Sequence, residues 1–453
     1  MRSFPLYNYR FVFFILFGIF LNTLTSQEPI TEEGKIVNHF NQNSGKLIPI
    51  VSVSKDTGHK VDSIITNGII EQAFPGAQVL VARKGEVIFH KAYGFHTYDS
   101  LHPVTLNAIY DLASVTKITG PLPALMKLYD EGKLDLDLPL STYWKAWKQI
   151  KDKKDITLRE LLAHQAGMEP YIIFLKKVHK NGRLKRKYIH NKPSAKFENQ
   201  AYDNIFVKNR FKKKIFKAID RSEVDEKKSY RYSGLAFLLF PQLISQITGN
   251  SYEYYLQKNF YIPMGAATLG YKPKTKAFRN TIIPTEVDTL FRKDLVKGWV
   301  HDENAALLGG ISGNAGLFGT ARDMYKIMQM YQNYGTLNGR RYLSEATLKE
   351  FTKVQYPKNN NRRGLGFDKP LLNNKELPIS ESYPAVSASK DSFGHSGFTG
   401  TFVWADPINQ LVYIFLSNRV NPTRQNRNLY NLNIRTQLHQ LFYEDSRSLN
   451  LSK

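Results

Sequence analysis

Length, composition and charge exclude several classes of protein. The chain has 453 residues, of which 42% are hydrophobic and 23% charged, so it can bury a large core and is not wholly disordered. It contains no cysteine, which excludes a disulfide scaffold, a cysteine-ligated metal site and a cysteine nucleophile. The formal net charge of +24 suggests an anionic partner, so the position of the basic residues matters.

The amino terminus has the pattern of an export signal. Arg2 and Arg10 lead into an apolar run over residues 11–21, and a small residue follows at the cleavage position. We therefore predict a signal peptide over 1–26, a polar leader over 27–58 and an exported protein, periplasmic or secreted. Anchoring by an uncleaved segment is the alternative, although the run is shorter than the about 20 apolar residues that span a bilayer.

Strand patterns occur towards both ends of the chain. Residues 77–82 and 87–92 are predicted to form a hairpin, as are residues 400–404 and 411–416. Apolar residues at helical spacing predict helices at about 61–70, 122–129, 158–162, 235–247, 324–331 and 434–442.

This order of elements predicts the fold class and the domain limits. We expect an α+β fold in which both chain ends form an antiparallel sheet flanked by helices, with an inserted, mostly α-helical subdomain. The domain is predicted to cover residues 59–445, followed by a tail over 446–453.

Much of the positive charge lies in one segment. Between Lys176 and Lys228 there are 18 Lys or Arg and 6 Asp or Glu, a surplus of 12. A solvated basic insertion over about 175–228 accounts for this, and attraction to an anionic envelope surface or to anionic substrates is the alternative. No zinc-finger, RNP or basic-zipper pattern accompanies the cations, so no nucleic-acid partner is predicted.

The candidates for catalytic chemistry are three Ser-x-x-Lys sequences, Ser52–Lys55, Ser114–Lys117 and Ser387–Lys390. Residues three apart share a helix face, so the lysine amine can lie beside the serine hydroxyl and accept its proton. The first copy lies in the leader and the third in a Pro/Ser-rich stretch. The Ser114 copy opens a segment of helical spacing, where simple N-capping is the alternative interpretation.

Longer motifs around this copy carry a family resemblance. The segment from Asp111 to Lys117 (DLASVTK) resembles the first motif of the class C-type serine β-lactamase superfamily, which includes β-lactamases, D-Ala-D-Ala peptidases and esterases. The segments 161–167 (LLAHQAG) and 393–400 (FGHSGFTG) resemble later motifs of the same group, in the same order. The resemblance covers roughly residues 60–445 and implies a β-lactamase/transpeptidase-like fold and a serine hydrolase.

The second motif of that superfamily is altered in this chain. Its Tyr-x-Asn pattern aligns with Tyr232, which leaves Gly234 in the place of the asparagine. Tyr230 is the alternative functional tyrosine. The missing amide favours an esterase or a D-amino-acid peptidase over a true β-lactamase. Two histidines elsewhere, His164 and His301, are predicted to be structural.

The third motif supplies the substrate side of the predicted site. His395 falls where the superfamily has Lys-Thr-Gly or His-x-Gly, and is expected to present a polar or positive group. Ser396, Gly397 and Phe398 are the predicted substrate-binding residues. Gly397 would let the substrate lie against the strand, since a side chain there would block it.

The resemblance implies an acyl-enzyme mechanism without metal or organic cofactor. Ser114 attacks a carbonyl, Lys117 and Tyr232 transfer the proton, and the N–H groups of Ser114 and Phe398 stabilise the oxyanion. The expected partner is a small-molecule or peptide substrate with an ester or amide bond, and the cell wall is one source of such substrates. The oligomeric state is not predicted. A catalytically silent envelope-binding protein of the same fold is the alternative function, and a polyanion-binding surface protein is a third.

Overall fold

The computed structural model describes residues 49–275 and 282–445. The predicted signal peptide 1–26 and the tail 446–453 lie outside the described residues. In chain order the strands are β1 (Ile50–Val51), β2 (Gly76–Arg83), β3 (Glu86–Gly94), β4 (Tyr110–Asp111), β5 (His179–Lys180), β6 (Arg183–Leu184), β7 (Ile189–His190), β8 (Asn199–Tyr202), β9 (Ile205–Val207), β10 (Gly270–Tyr271), β11 (Pro284–Asp288), β12 (Asp294–Lys297), β13 (Leu317–Gly319), β14 (Thr336–Leu337), β15 (Arg340–Arg341), β16 (Phe393–Ser396), β17 (Phe402–Asp406) and β18 (Leu411–Ser417).

The α-helices lie mostly between the strands of the two chain ends. They are α1 (Lys55–Ile70), α2 (Thr116–Thr119), α3 (Pro121–Asp130), α4 (Leu158–Leu162), α5 (Leu175–Val178), α6 (Phe211–Asp220), α7 (Leu235–Thr248), α8 (Tyr252–Leu256), α9 (Glu303–Leu307), α10 (Ala321–Gln332), α11 (Glu345–Thr352), α12 (Asn428–Asn431) and α13 (Ile434–Glu444). Among the described residues, no helix combines the length and apolar character that crossing a membrane requires.

The main sheet is built by both ends of the chain. Its strand order is β1-β3-β2-β18-β17-β16, and every neighbouring pair is antiparallel. Lys84 and Gly85 both have positive φ angles, 52° and 84°, which suits the tight turn between β2 and β3. The predicted α+β fold, with an antiparallel sheet from both chain ends, is confirmed.

Alternating side chains of this sheet enter two separate cores. On one face, β-strand residues such as Val79 and Phe415 pack with apolar residues of α1 and α13. On the other face, residues such as Leu80 and Ile414 join the larger core, which contains α10 and the helices of the middle region. The sheet is therefore buried on both sides, and its edge strand β16 remains free of a further strand neighbour among the described residues.

The structure corrects the predicted end of the leader and adds detail to the basic insertion. The last residues of the predicted leader 27–58 belong to the folded domain, because β1 pairs with β3 and α1 begins at Lys55, where Ser54 caps the helix. Within the predicted helical subdomain, the basic insertion over 175–228 contains strands that the sequence analysis did not predict. It contains the β5–β6 hairpin, the three-stranded sheet β7-β9-β8 and the helix α6, because its apolar residues alternate in short runs before Phe211.

Candidate active site

Ser114 lies in a single 3₁₀ turn, Ala113–Val115, between β4 and α2. The Nζ of Lys117, one turn later, lies 3.0 Å from Ser114 Oγ and donates a second hydrogen bond of 3.0 Å to the carbonyl of Asn314. Lys117 is 2% exposed, whereas Ser114 is partly accessible. The spacing of three residues therefore places the amine directly beside an accessible hydroxyl.

The residue before Ser114 has a strained backbone that Asp111 stabilises. Ala113 has a φ of +45°, in the left-handed region that non-glycine residues rarely adopt. One oxygen of the Asp111 carboxylate accepts the N–H of Ala113 at 2.9 Å, and the other accepts the N–H of His301 at 2.7 Å. Burial raises the pKa of Asp111 despite these hydrogen bonds. Asp111 thus joins the nucleophile turn to the loop that precedes α9.

The turn after β16 is attached to the nucleophile turn by two threonines. The hydroxyl of Thr399 donates to the carbonyl of Asp111 at 2.8 Å, and that of Thr401 donates to the carbonyl of Leu112 at 3.0 Å. A Cβ on Gly397 would lie 2.1 Å from Thr401 Oγ1 and 2.6 Å from Leu112 O. This glycine is therefore needed for the approach of the two turns. Its role in admitting the substrate stays a prediction.

This junction presents two unused main-chain donors. The N–H groups of Ser114 and Phe398 donate to no other group within the described ranges. The Phe398 side chain is 46% exposed, and its ring lies 5.7 Å from the ring of His301 and 4.5 Å from the guanidinium of Arg419. Two free N–H groups at the nucleophile are the arrangement that stabilises an oxyanion.

Tyr232 lies in the loop before α7, and the side chains of Ser114 and Lys117 both act to lower the pKa of its phenol. Lys117 Nζ is 5.3 Å from the centre of the ring. Burial opposes ionisation of the phenol, but the charges of Lys117 and Arg363 outweigh it, so the pKa of Tyr232 lies below its ordinary value of 10.0. The structure therefore brings Ser114, Lys117 and Tyr232 together, with a hydrogen bond between Lys117 and Ser114 and the Tyr232 ring beside them.

Arg363, in the segment between α11 and β16, was missed by the sequence analysis. Its guanidinium carbon lies 5.0 Å from the centre of the Tyr232 ring, and its Nε donates to the hydroxyl of Tyr230 at 3.2 Å. An Nη2 to carboxylate distance of 3.5 Å pairs it with Asp368. It is 5% exposed, and its Nη1 has no partner in the described parts of the chain. The run Asn-Asn-Asn-Arg-Arg-Gly around it carries no motif that would have indicated this position.

His395 is buried on β16 and is neutral. Its Nδ1 lies 2.7 Å from the carbonyl of Ser396, which can only accept, so Nδ1 carries the proton and Nε2 is an acceptor. Nε2 has no partner among the described residues. Burial, followed by the charges of Arg363 and Lys117, lowers the pKa of His395 to about 3. The low pKa disfavours a positive charge on His395, and its role as a polar group on the substrate side stays a prediction.

His164 forms the wall behind Tyr232. Its ring centre is 4.5 Å from that of Tyr232, and its Nδ1 accepts the N–H of Ser233 at 3.2 Å. Burial, reinforced by neighbouring positive charges, holds the pKa of His164 well below its ordinary value. The ring therefore packs as a neutral group against the tyrosine.

Asn314 occupies the space beside Gly234. A Cβ on Gly234 would lie 3.9 Å from the Cβ of Asn314, whose main-chain carbonyl accepts from Lys117. The amide of Asn314 is already engaged: it accepts from the Ser312 hydroxyl at 2.7 Å and donates to Asp302 at 3.2 Å. Lys117 therefore has a hydrogen-bond partner from the Asn314 main chain, beside the position where Gly234 offers no side chain. A polar residue between glycines, Ser-Gly-Asn-Ala-Gly, was the available sequence signal.

The other two Ser-x-x-Lys sequences form no comparable site. Ser52 precedes α1, whose first residue is Lys55, so the two do not share a helix. The hydroxyl of Ser387 accepts from Gln440 at 2.8 Å, and Lys390 is exposed. Within the described ranges, no group of three or more His, Asp or Glu side chains is placed to hold a metal ion.

Known proteins match this chain in sequence and in fold. The family model Beta-lactamase matches residues 61–436. Proteins named D-alanyl-D-alanine carboxypeptidase from Salmonella enteritidis and Salmonella gallinarum are 27% and 28% identical over 387 residues, which are 80% of this chain and 82% of theirs.

Solved structures with 17% sequence identity share the fold. The hydrolase EstCE1, described as having promiscuous acyltransferase activity, has a TM-score of 0.61 over 84% of this chain and 98% of its own. A penicillin-binding protein homologue from Caulobacter crescentus has 0.59 over 86% and 98%. A class C β-lactamase from Rhodobacter sphaeroides has 0.55 over 82% and 97%. The chain belongs to the β-lactamase family and is a serine hydrolase of that family.

Proposed function

We propose that this protein hydrolyses an ester or amide through an acyl-enzyme on Ser114. The observation that carries the proposal is the 3.0 Å hydrogen bond between Lys117 Nζ and Ser114 Oγ, with the Tyr232 ring 5.3 Å from the same Nζ. A nucleophile and its base within hydrogen-bonding distance are the geometric requirement for covalent catalysis.

The proposed reaction has two halves. Ser114 Oγ attacks the substrate carbonyl carbon, and its proton passes to the Tyr232–Lys117 pair while the carbonyl oxygen becomes the oxyanion. When the carbonyl re-forms, the bond to the leaving group breaks and that group takes the proton from Tyr232. Water then attacks the acyl-enzyme, the pair accepts its proton, and the proton returns to Ser114 as the acid departs. The N–H groups of Ser114 and Phe398 stabilise both oxyanions.

Arg363 replaces the positive charge that a third-motif lysine would bring. His395 is neutral at pH 7, since its pKa is about 3, and so cannot stabilise the Tyr232 phenolate by charge. The Arg363 guanidinium, 5.0 Å from the Tyr232 ring, can do so. His395 Nε2 and Arg363 Nη1, unpaired among the described residues, are both buried, so neither is open to a substrate in this arrangement.

The substrate we propose is a small ester or a D-amino-acid peptide from the cell wall, met by an exported protein in the periplasm or outside the cell. The names of the Salmonella relatives support a peptide, and the hydrolase EstCE1 is consistent with an ester. No asparagine amide stands at Gly234, and that of Asn314 is bonded to its neighbours, which favours these substrates over β-lactams.

Covalent labelling tests the proposal. The purified protein is incubated with a fluorophosphonate and, separately, with a fluorescent penicillin, and adducts are mapped by mass spectrometry. We expect an adduct on Ser114 that Ser114→Ala abolishes and that Ser387→Ala, the matched change in another Ser-x-x-Lys sequence, leaves intact. Absence of any adduct on the folded protein, together with no turnover of activated esters, would refute the proposal and favour a silent envelope-binding protein.

A further inference from the structure

The basic insertion carries a groove whose lining residues include none of the catalytic group, by which we mean Ser114, Lys117, Tyr232, His395 and Arg363. It has a volume of about 580 Å³ and lies between the β5–β7 region and the loop before β12. Arg183, Arg186 and His190 line it from the insertion, and Lys293 lines it from the opposite side. All four side chains are exposed, so the groove is open to a ligand from solvent.

Two further concavities are connected to this groove through shared lining residues. The second, of about 540 Å³, shares Arg183 with the first and adds Lys180 and Lys185. The third, of about 410 Å³, shares Lys185 and adds Lys177 and Lys214. We define the cationic track as the surface of these three concavities. Its exposed or partly exposed cations are Arg183, Arg186, Lys293, Lys180, Lys185, Lys177, Lys214, Lys217 and Arg221.

Acidic side chains do not neutralise the track. Of the 18 Lys and Arg between positions 176 and 228, Lys228 alone forms an ion pair in the described parts of the chain, with Glu160 at 2.7 Å. Nearby acids are used elsewhere: Asp220 accepts from two tryptophan indoles, and Asp203 pairs with Lys274. Uncompensated cations on concave surfaces produce a concentrated positive potential.

We propose that the cationic track binds an extended anionic polymer that carries closely spaced phosphate or carboxylate groups. Three concavities that share lining residues, each with the next, offer more contacts to a linear chain than to a single small anion. Arginine binds such oxyanions through a planar fork of donors, and lysine as a point charge.

The described residues disfavour a membrane surface as the occupant. No large apolar side chain between residues 175 and 228 is exposed, so the insertion offers no anchor for a bilayer. Its aromatic rings are also engaged: Tyr188 faces Lys187 and Lys214, and His190 stacks on Phe197 at 3.6 Å. Stacking platforms for nucleic-acid bases are therefore lacking in this segment.

The test compares two triple substitutions with the same change in net charge. The track variant is Arg183→Gln/Lys185→Gln/Arg186→Gln, and the control is Lys358→Gln/Lys375→Gln/Lys390→Gln, three exposed lysines outside the insertion. Binding of fluorescent polyphosphate and of polygalacturonate is measured by anisotropy across a salt series, and circular dichroism verifies folding. Sedimentation with phosphatidylglycerol vesicles tests the membrane alternative.

We expect the track variant to bind the polymers about tenfold more weakly at low salt, and the control to change by less than about twofold. The charge-preserving Arg183→Lys/Arg186→Lys should retain binding, and the preferred polymer identifies phosphate or carboxylate. Equal losses of binding in both triple variants would show that net charge alone controls binding, and would refute the track as the binding site. Binding of vesicles without binding of either polymer would overturn it as well.

Discussion

The catalytic group and the cationic track are both rich in positive charge, but they hold it in opposite ways. In the catalytic group, Lys117 and Arg363 are almost completely buried, at 2% and 5% exposure, and each has defined partners. In the track, Arg183 and Arg186 are exposed and form no ion pair in the described ranges. Buried charges act on the few groups that they contact, whereas exposed charges act together on a ligand that approaches from solvent.

The difference predicts different responses to substitution. A change in the catalytic group removes one member of a hydrogen-bonded unit, so single substitutions should have large and non-additive effects. A change in the track removes one of many screened charges, so its effect should be small, additive and dependent on salt. Substitutions in the two regions therefore distinguish buried from exposed charge.

Tyr232→Phe should lower kcat/KM about 10²–10⁴-fold, because the substitution removes the group that transfers the proton between Ser114 and the leaving group. Tyr230→Phe is the matched control, since this hydroxyl contacts Arg363 at 3.2 Å rather than the nucleophile. We expect a loss of less than about fivefold for the control. The measurement is turnover of an activated ester. Similar losses in both variants would remove Tyr232 from its proposed role.

Arg363→Met should lower kcat/KM at pH 7 about tenfold and change its pH dependence. Arg363 helps to keep the pKa of Tyr232 low, so the phenolate base is lost as pH falls through that pKa. Without Arg363 the pKa rises, and the acidic limb of the profile should move to higher pH. Arg362→Met is the control, because this neighbour also pairs with Asp368 but faces Tyr383. An unshifted limb in Arg363→Met would contradict the electrostatic role.

Asn314→Ala should destabilise the protein by about 1–3 kcal/mol, because its loss leaves buried polar partners at Ser312 and Asp302. Gly234→Ala should change stability by less than about 1 kcal/mol, since the added Cβ makes only an ordinary contact at 3.9 Å and the φ of −87° suits any residue. Urea denaturation measures both. A large loss of stability in Gly234→Ala would show that the space beside Gly234 cannot hold a Cβ.

Lys214→Gln alone should weaken polymer binding by about twofold at low salt and leave ester turnover unchanged. The reason is that Lys214 is one of several exposed cations in the track. Binding is measured by anisotropy at two salt concentrations. A loss as large as that of the triple track variant would show that one cation dominates, contrary to the additive behaviour expected of an exposed surface.

Periodicity determined much of the fold. The hairpin around Lys84 and Gly85 and the helix ending before Gly249 follow from local patterns, since alternation and helical spacing are set by which face of an element is buried. Short elements were less predictable. No strand was predicted in the basic insertion, yet strands of two to four residues pair there, because tertiary contacts outweigh weak local preferences in such short runs.

The sequence by itself determined the relative positions of candidate site residues that lie within one turn of helix or along one strand. The Ser-x-x-Lys spacing sets the distance between Ser114 and Lys117, and the third motif places His395 next to Ser396 on β16. Order along the chain and a family resemblance were sufficient to select Tyr232 as well.

Only the tertiary structure decided which distant groups complete and tune the site. Arg363 reaches Tyr232 from a segment with no motif, and Asn314 supplies the contact to Lys117 beside Gly234. The neutral state of His395 likewise depends on burial and on the charges around it. Sequence spacing fixes distances only within an element, whereas contacts between elements and their effect on pKa arise from packing in three dimensions.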